Sequence, residues 1–288
     1  MKILAIFVLM AGMAACAQGA DANGAALTAA GARVGKIKEG GMRVDIPGPK
    51  LTEDVWKVLE SLPDLKAFSS SGKEFDDAAL ARLAKIATIE TLFFNGPAIT
   101  DKGLAALANF PNLHKFGIDH GQITGSGLSA LAASKNLKAI SFGGCLFNDQ
   151  GMNALGAMTQ LHEVSIRHDR NTSTGFADFG KLTELEKLQI NPNFSPYYVG
   201  ADFVHLSALS KLQELAIAQM IIPYDDGLSH LKSLRQLKKL KLELCGISPE
   251  DLAKIKSDLP DTVIDFTPAP ADAVKKWNDA LARRKAAK

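Results

Sequence analysis

The sequence predicts an α/β solenoid, a curved stack of similar coils in which short parallel strands alternate with helices. The first observation is a pattern that restarts at Gly40, Asp64, Thr88, Asn112, Asn136, Gln160, Glu184, Lys211 and Gln236. Its first six intervals are 24 residues long, and the last two are 27 and 25. The second is that apolar residues recur at the second, fifth, seventh, twelfth, seventeenth and twentieth places. A fixed period of this length is the signature of stacked repeats, here about nine.

Each unit predicts a strand followed by a helix. In the unit that begins at Thr88, Leu92 and Phe94 alternate as they do on the buried face of a strand. Leu104 and Leu107 are three residues apart, as on one face of a helix. Residues that can cap a helix stand between the two elements: Thr52, Asp76, Thr100, Thr124, Asn148 and Ser248. One unit cannot bury its apolar face alone, so neighbouring units must stack through right-handed crossovers.

The run L-x-x-L-x-L-x-x-x-x-I-T-D-x-G-L-x-x-L resembles a leucine-rich repeat of the ribonuclease-inhibitor-like, cysteine-containing subtype. Cys145 and Cys245 stand at the tenth place, where that subtype often carries Cys or Asn. The resemblance covers residues 40–266, and residues 25–46 are similar to the cap of exported bacterial proteins of this group. It implies a horseshoe with a parallel sheet on the concave face and helices on the convex face. It also implies protein–protein recognition on the concave face and its edges, without catalysis by the repeats. The sequence contains no haem, zinc-protease or nucleotide-binding motif, so we expect no metal and no cofactor.

Residues 1–22 are predicted to be an export signal. Met1 and Lys2 give a positive start, and the apolar run that follows is shorter than the roughly 20 residues that span a bilayer. Two processing routes stay open. The run Met13-Ala14-Ala15-Cys16 resembles a lipoprotein box that would acylate Cys16, whereas neighbouring small residues suit ordinary cleavage. We therefore expect a periplasmic or cell-envelope protein that is either lipid-anchored through Cys16 or freely soluble.

The two ends of the repeat array are predicted to carry a cap and a tail. Residues 23–39 form the N-terminal cap, with a helix and a strand over residues 34–37. Residues 263–266 form a last strand, and residues 267–288 a stiff linker and a basic helix. This helix could contact anionic lipid or nucleic acid, or Trp277 could dock it on the last repeat. The net charge is only +2, which favours docking.

A disulfide between Cys145 and Cys245 is excluded by their spacing. The two residues lie four units apart, or roughly 19 Å at about 4.8 Å per strand, and disulfides need Cα atoms within about 7 Å. The core alone must therefore stabilise this predicted exported protein.

The outward fourth, sixth and eighth places of the strands predict a concave surface of mixed charge. A nucleic-acid groove would carry one sign of charge, so we expect a protein or peptide partner and no nucleic acid. The pattern breaks in the three units from Gln160 onward, which include an insertion, and insertions usually lie on the binding side. The candidate partner-binding residues are Asp119, His120, Arg167, His168, Asp169, Arg170, Asn191, Tyr197, Tyr198 and Tyr224. Alternatively, the tyrosines only cover a thinner core.

His120 and His168 raise the alternative of a metal or acid–base site. They share the ninth place two units apart, beside Asp119 and Asp169. Two strand spacings are roughly 10 Å, too far for two ligands that each need about 2 Å to one ion. We therefore predict a non-enzymatic recognition protein. An envelope enzyme or glycan-processing protein using these four residues, and a spacer without a specific ligand, are the competing hypotheses.

Overall fold

A computed structural model describes residues 22–38, 40–132, 134–195 and 197–286. These residues contain one sheet of eleven strands whose order follows the chain, with β1 antiparallel to β2 and the other pairs parallel. The strands are β1 Arg33–Lys36, β2 Met42–Pro47, β3 Leu65–Ser71, β4 Thr91–Asn95, β5 Lys115–Asp119, β6 Ala139–Gly143, β7 Glu163–Arg167, β8 Lys187–Asn191, β9 Glu214–Ala218, β10 Lys239–Cys245 and β11 Val263–Pro268. Strands β2 to β10 open the nine units, which confirms the predicted fold class. Most of the predicted export signal, with Cys16, lies outside the described residues.

The convex side combines α-helices with 3₁₀ helices. The α-helices of the described chain are α1 Ala22–Ala29, α2 Glu53–Ser61, α3 Asp77–Leu83, α4 Asp149–Gly156, α5 Ser173–Phe176, α6 Pro249–Asp258 and α7 Ala271–Ala286. The 3₁₀ helices are Gly48–Lys50, Gly103–Asn109, Ser126–Leu131, Ala177–Lys181, Gly200–Ala208 and Leu228–Ser233. The three-residue spacing of Leu104 and Leu107 matches the three residues per turn of a 3₁₀ helix.

The core lies between the sheet and the convex helices. Leu92 and Phe94, at the fifth and seventh places of their unit, are both buried. Phenylalanine rings stack within and between the units, with centroid distances of 4.6 Å between Phe142 and Phe147 of one unit and 4.3 Å between Phe75 and Phe94 of neighbouring units. Burial of each such side chain contributes about 1.5–3 kcal/mol.

Carboxylates at the helix starts tie successive units together. Asp101 accepts hydrogen bonds from the amide and hydroxyl of Thr124, at 2.9 and 2.8 Å, and from the amide of Gly125 at 2.9 Å. Burial opposes ionisation of Asp101, but these donors outweigh it and lower its pKa. Corresponding bonds join Asp77 to Thr100 and Asp149 to Thr172. The carboxylates of Asp77, Asp101 and Asp149 therefore hold the loops that lead into the next coil.

The two cysteines of the repeats are free and buried. Cys145 Sγ lies 3.5 Å from the carbonyl oxygen of Ile118, and Cys245 Sγ lies 3.4 Å from that of Ile217. Burial raises the pKa of both thiols to about 12. Each thiol therefore bridges to the preceding strand and is unreactive in the folded protein.

Short elements cover the ends of the stack. Strand β1 pairs with β2 in the register Val34 to Val44, and α1 lies beside α2. At the other end, Trp277 on α7 is buried, as a docked end helix requires. Within the described residues, no helix combines the length and apolar character needed to cross a membrane.

Candidate partner-binding site

The amino ends of the strands carry a ladder of opposite charges on the concave face. Lys115, Ala139, Glu163, Lys187 and Glu214 follow one another in register on β5 to β9. Lys115 Nζ reaches across Ala139 to Glu163 Oε2 at 2.9 Å. Lys187 Nζ lies 3.8 Å from Glu163 and 3.3 Å from Glu214. Partly exposed pairs of this kind contribute only about 0–1 kcal/mol each, so the ladder shapes the surface more than it stabilises it.

The middle of the concave face is lined by three small residues, with the larger Phe93 on one side of them and Gln189 on the other. Gly117, Ser141 and Ser165 occupy the sixth place on β5, β6 and β7. The Phe93 ring covers Gly117, since a Cβ atom at position 117 would lie 2.8 Å from Phe93 Cδ2. Ser165 Oγ donates to Gln189 Oε1 at 3.1 Å. With the charged ladder, Ser141, Ser165 and Gln189 line an open groove of about 520 Å³ that runs from β5 to β11.

A second ion pair spans the carboxyl ends of β5 to β7. Arg167 Nη2 lies 2.8 Å from Asp119 Oδ1, although the two residues are 48 positions apart. Gly143 lies between them in register. A Cβ atom there would be 2.4 Å from Asp119 Oδ1, so the bridge occupies the space that a side chain at position 143 would need.

Both candidate histidines have left-handed backbones at the strand ends. His120 has φ 55° and His168 has φ 56°, at a place where other units use Gly96 and Gly144. A non-glycine residue in this region costs about 1–3 kcal/mol. The imidazoles are therefore held in place at some energetic cost.

The histidines bind amides rather than the carboxylates beside them. His120 Nδ1 lies 3.0 Å from Asn95 Oδ1, and His168 Nε2 lies 3.1 Å from Gln219 Oε1. An amide oxygen only accepts, so each of these nitrogens carries the proton. Partial burial lowers the pKa of His168, which favours its neutral form. The His–Asp hydrogen bonds that general-base activation would use are not formed among the described residues.

Metal chemistry has no suitable ligand set in the part of the chain that the structure describes. No group of three or more His, Cys, Asp or Glu side chains there could hold a metal ion. His120 and His168 are instead engaged by amides on other strands, as described above.

Asp169 was expected on the accessible edge, and the structure places it inside. Its Oδ1 accepts from the amide of Cys145 at 2.9 Å, and its Oδ2 from the amide of Arg167 at 3.1 Å. Burial raises the pKa of Asp169 to about 8. Asp169 stands at the tenth place, which Cys145 occupies one unit earlier and which faces the core. The interpretation of Asp169 as a surface contact is therefore wrong.

Tyr198 is also a core residue rather than a surface anchor. Its side chain is only 3% exposed, and its ring lies 4.8 Å from that of Phe176, measured between centroids. Burial raises the pKa of its hydroxyl. The unit before it has buried Asn171 at the twelfth place, where its neighbours are apolar. The insertion therefore brings an aromatic ring into a thinner core, which was the competing interpretation of the tyrosines.

The three tyrosines do not form one surface. Tyr224 donates its hydroxyl proton to Asp258 and lies under Lys254, both on the convex helix α6. Tyr197 is 44% exposed, and its carbonyl oxygen accepts from the amide of Ser173. Of the candidate residues, those exposed or partly exposed at the strand ends and adjoining loops are Asp119, His120, Arg167, His168, Arg170, Asn191 and Tyr197.

Sequence reasoning missed the two long-range ion pairs. Each joins residues 48 positions apart, with a small residue 24 positions from both: Lys115, Ala139 and Glu163 in one case, Asp119, Gly143 and Arg167 in the other. The sequence does contain a signal for such ion pairs: two residues of opposite charge separated by twice the repeat period, with a Gly or Ala midway between them. The prediction treated these residues one strand at a time.

Comparison with protein-family models and with curated proteins gives no match. A crystal structure of an internalin from Listeria monocytogenes is similar, with a TM-score of 0.55 and 19% identity over 74% of this chain and 57% of that one. The structure of a TLR13–ssRNA13 complex has a TM-score of 0.53 and 15% identity, over 75% of this chain and 30% of that one. Both are leucine-rich-repeat proteins. The fold is therefore a leucine-rich-repeat solenoid.

This likeness concerns the fold. The chain matches less than two thirds of the length of either solved protein. The ribonuclease-inhibitor-like subtype of these leucine-rich repeats stays a prediction from the residues at the tenth place.

Proposed function

We propose that this leucine-rich-repeat chain is a non-enzymatic recognition protein of the bacterial cell envelope, which binds a protein or peptide on its concave face. The observation that carries the proposal is the open groove of about 520 Å³ along β5 to β11. Its walls combine both signs of charge with polar groups, a composition that suits a protein surface better than a nucleic-acid backbone. The partly exposed Arg167 and Tyr197 belong to residue types that are enriched at interface hot spots.

Export and anchoring are part of this proposal and rest on the N-terminal sequence. The mature N-terminus would be either an acylated Cys16 or a residue left by ordinary cleavage. Mass spectrometry of the protein purified from its native envelope would distinguish the two, since acylation adds a mass of lipid to the N-terminal peptide. A mature protein that begins at Met1 would contradict export.

A pair of matched substitutions tests the binding face. Gln189→Trp places a large ring in the middle of the groove, whereas Gln150→Trp places the same ring on the exposed convex surface of α4. We expect wild type and Gln150→Trp to capture the same partner from an envelope extract, and Gln189→Trp to lose it. Equal capture by both variants would show that the groove is not the binding face.

A further inference from the structure

Strand β6 presents only small side chains to the concave face. Ala139, Ser141 and Gly143 occupy its fourth, sixth and eighth places. The flanking strands β5 and β7 carry charged residues at the fourth and eighth places. The floor over β6 is therefore a depression that is one strand wide at its two ends, where the flanking strands carry charges, and wider at its centre, where Gly117 and Ser165 are also small.

Both ends of this depression are crossed by an ion pair between the flanking strands. Lys115 and Glu163 meet over Ala139 at 2.9 Å. The Asp119–Arg167 pair lies over Gly143 at 2.8 Å. Ala139 and Gly143 are four residues apart along the strand, or about 13 Å. We call the strip of Ala139, Ser141 and Gly143, with these two ion pairs as its rim, the β6 window.

Ser141, at the centre of the β6 window, has an unused hydroxyl group. The residue is 2% exposed and lines the groove, and its Oγ has no hydrogen-bond partner among the described residues. The next residue in register, Ser165, by contrast, donates to Gln189. A buried polar group without a partner costs about 1–3 kcal/mol. A ligand group that bonds to Ser141 Oγ would recover this energy, because the free protein has already lost the solvation of the hydroxyl.

The charges of the rim indicate what kind of group fits. They are paired with each other, and the floor is neutral. A charged group entering the window would pair with one rim residue only by leaving the partner of that residue unpaired, so it would lose its hydration without a net ionic gain. Reaching Ser141 Oγ requires the rim to part. The partly exposed Lys115–Glu163 pair contributes only about 0–1 kcal/mol, so it can open at little cost.

We propose that the β6 window receives one uncharged, hydrogen-bonding side chain from an extended peptide segment of the partner. Ser141 Oγ fixes that side chain, while the charged ladder contacts the segment on either side. This inference rests on the proposed function and assigns it a specificity-determining position. Suitable side chains are those of serine, threonine, asparagine, glutamine and tyrosine, which combine a hydrogen-bonding group with no net charge.

Randomised peptides displayed on phage provide the probe, selected on the wild-type protein and then synthesised for titration calorimetry. Ser141→Phe fills the window, and Ser69→Phe is its control, since Ser69 holds the same place on β3, is also buried with an unpaired hydroxyl and lies outside the groove. Phe93 at this place on β4 shows that the concave face accommodates a phenyl ring. Equal melting temperatures for the variants would verify folding.

We expect selected peptides to share an uncharged polar residue flanked by charged ones. Their affinity should fall at least tenfold in Ser141→Phe, change less than twofold in Ser69→Phe, and fall about fivefold in Ser141→Ala, the loss of one hydrogen bond. Peptides that bind Ser141→Phe as tightly as wild type, or a selection that enriches none, would overturn the inference. If such peptides still fail to bind Gln189→Trp, the groove remains the binding face and only the window assignment fails.

Discussion

The regular units and the irregular units of this solenoid use their polar residues in opposite ways. In the regular units at Asn112 and Asn136, the twelfth-place residues Ile123 and Phe147 are buried, and the charged strand residues Lys115 and Asp119 lie on the concave surface. In the units at Gln160 and Glu184, polar Asn171 is buried and Tyr198 lies in the core beside it. The sequence analysis assigns the inserted residues to a binding edge. In the structure, one of them, Tyr198, instead fills space in the core. The distinctive part of the concave surface comes instead from the regular strands, where charged side chains form ion pairs across a small residue.

We expect the largest effect on stability from substitution of the buried Tyr198. Tyr198→Ala removes a ring that packs on Phe176, so we expect a loss of about 3–5 kcal/mol in the free energy of unfolding. Urea unfolding followed by circular dichroism measures it. Tyr197→Ala, one residue earlier on the exposed side, is the control and should change stability by less than about 0.5 kcal/mol. Similar losses for both would mean that the insertion is not divided into a buried and an exposed part.

The buried carboxyl group of the irregular region should give the protein a pH dependence. The pKa of Asp169 is raised to about 8 by burial, above roughly 3.9 in the unfolded chain, so the folded state holds the proton more tightly. Its contribution to stability is thus fully present below about pH 4 and is lost as the pH rises to 8, by at most about 1.4 kcal/mol per unit.

Asp169→Asn should flatten this slope, because the asparagine side chain does not ionise. The interval from pH 6.5 to 8 is compared between the two proteins, because both contain His168 and only wild type has the carboxyl group of Asp169. Thermal unfolding in this interval should show a melting temperature that falls more steeply with pH for wild type than for the variant. An unchanged slope would place the titrating group elsewhere. Asp54→Asn, on the exposed surface of α2, is the matched control.

A smaller effect is expected in the regular region, at the bridged glycine. In Gly143→Ala, the added methyl group would lie 2.4 Å from Asp119 Oδ1 and 2.9 Å from Arg167 Nη2, so the ion pair must move. These are the ends of flexible side chains, and we expect a loss of about 1 kcal/mol. Gly35→Ala, where no atom lies within 4 Å, serves as the control.

A double-mutant cycle would attribute the loss to the bridge. In an Asp119→Ala background, the ion pair is absent and Gly143→Ala should cost clearly less than it does in wild type. A cost that is equal in both backgrounds would mean that the alanine disturbs the β6 backbone rather than the bridge.

The period of the sequence was sufficient for the fold, because burial repeats with the backbone. Leu92 and Phe94 are buried where the alternation predicted, and the nine repeats begin with nine strands. The interior position of Tyr198 could not be read from the pattern, because the extra residues of its unit remove the rule that assigns a face to each place. The spans of Arg167 and Lys115 depend on long side chains crossing a whole strand, which a comparison of adjacent residues does not reveal.

The carboxylates beside the helix caps make the molecule adjustable in length. Thr100 donates its hydroxyl to Asp77, and Thr124 donates its hydroxyl to Asp101 in an equivalent way, so the partners of these inter-unit hydrogen bonds are interchangeable. Excision of one 24-residue period from the regular region would place Asp77 beside Thr124, and the same hydrogen bond would form between them. The same excision across the longer unit at Glu184 would leave mismatched partners. The regular region can thus gain or lose whole coils, while the irregular one is constrained to a single size.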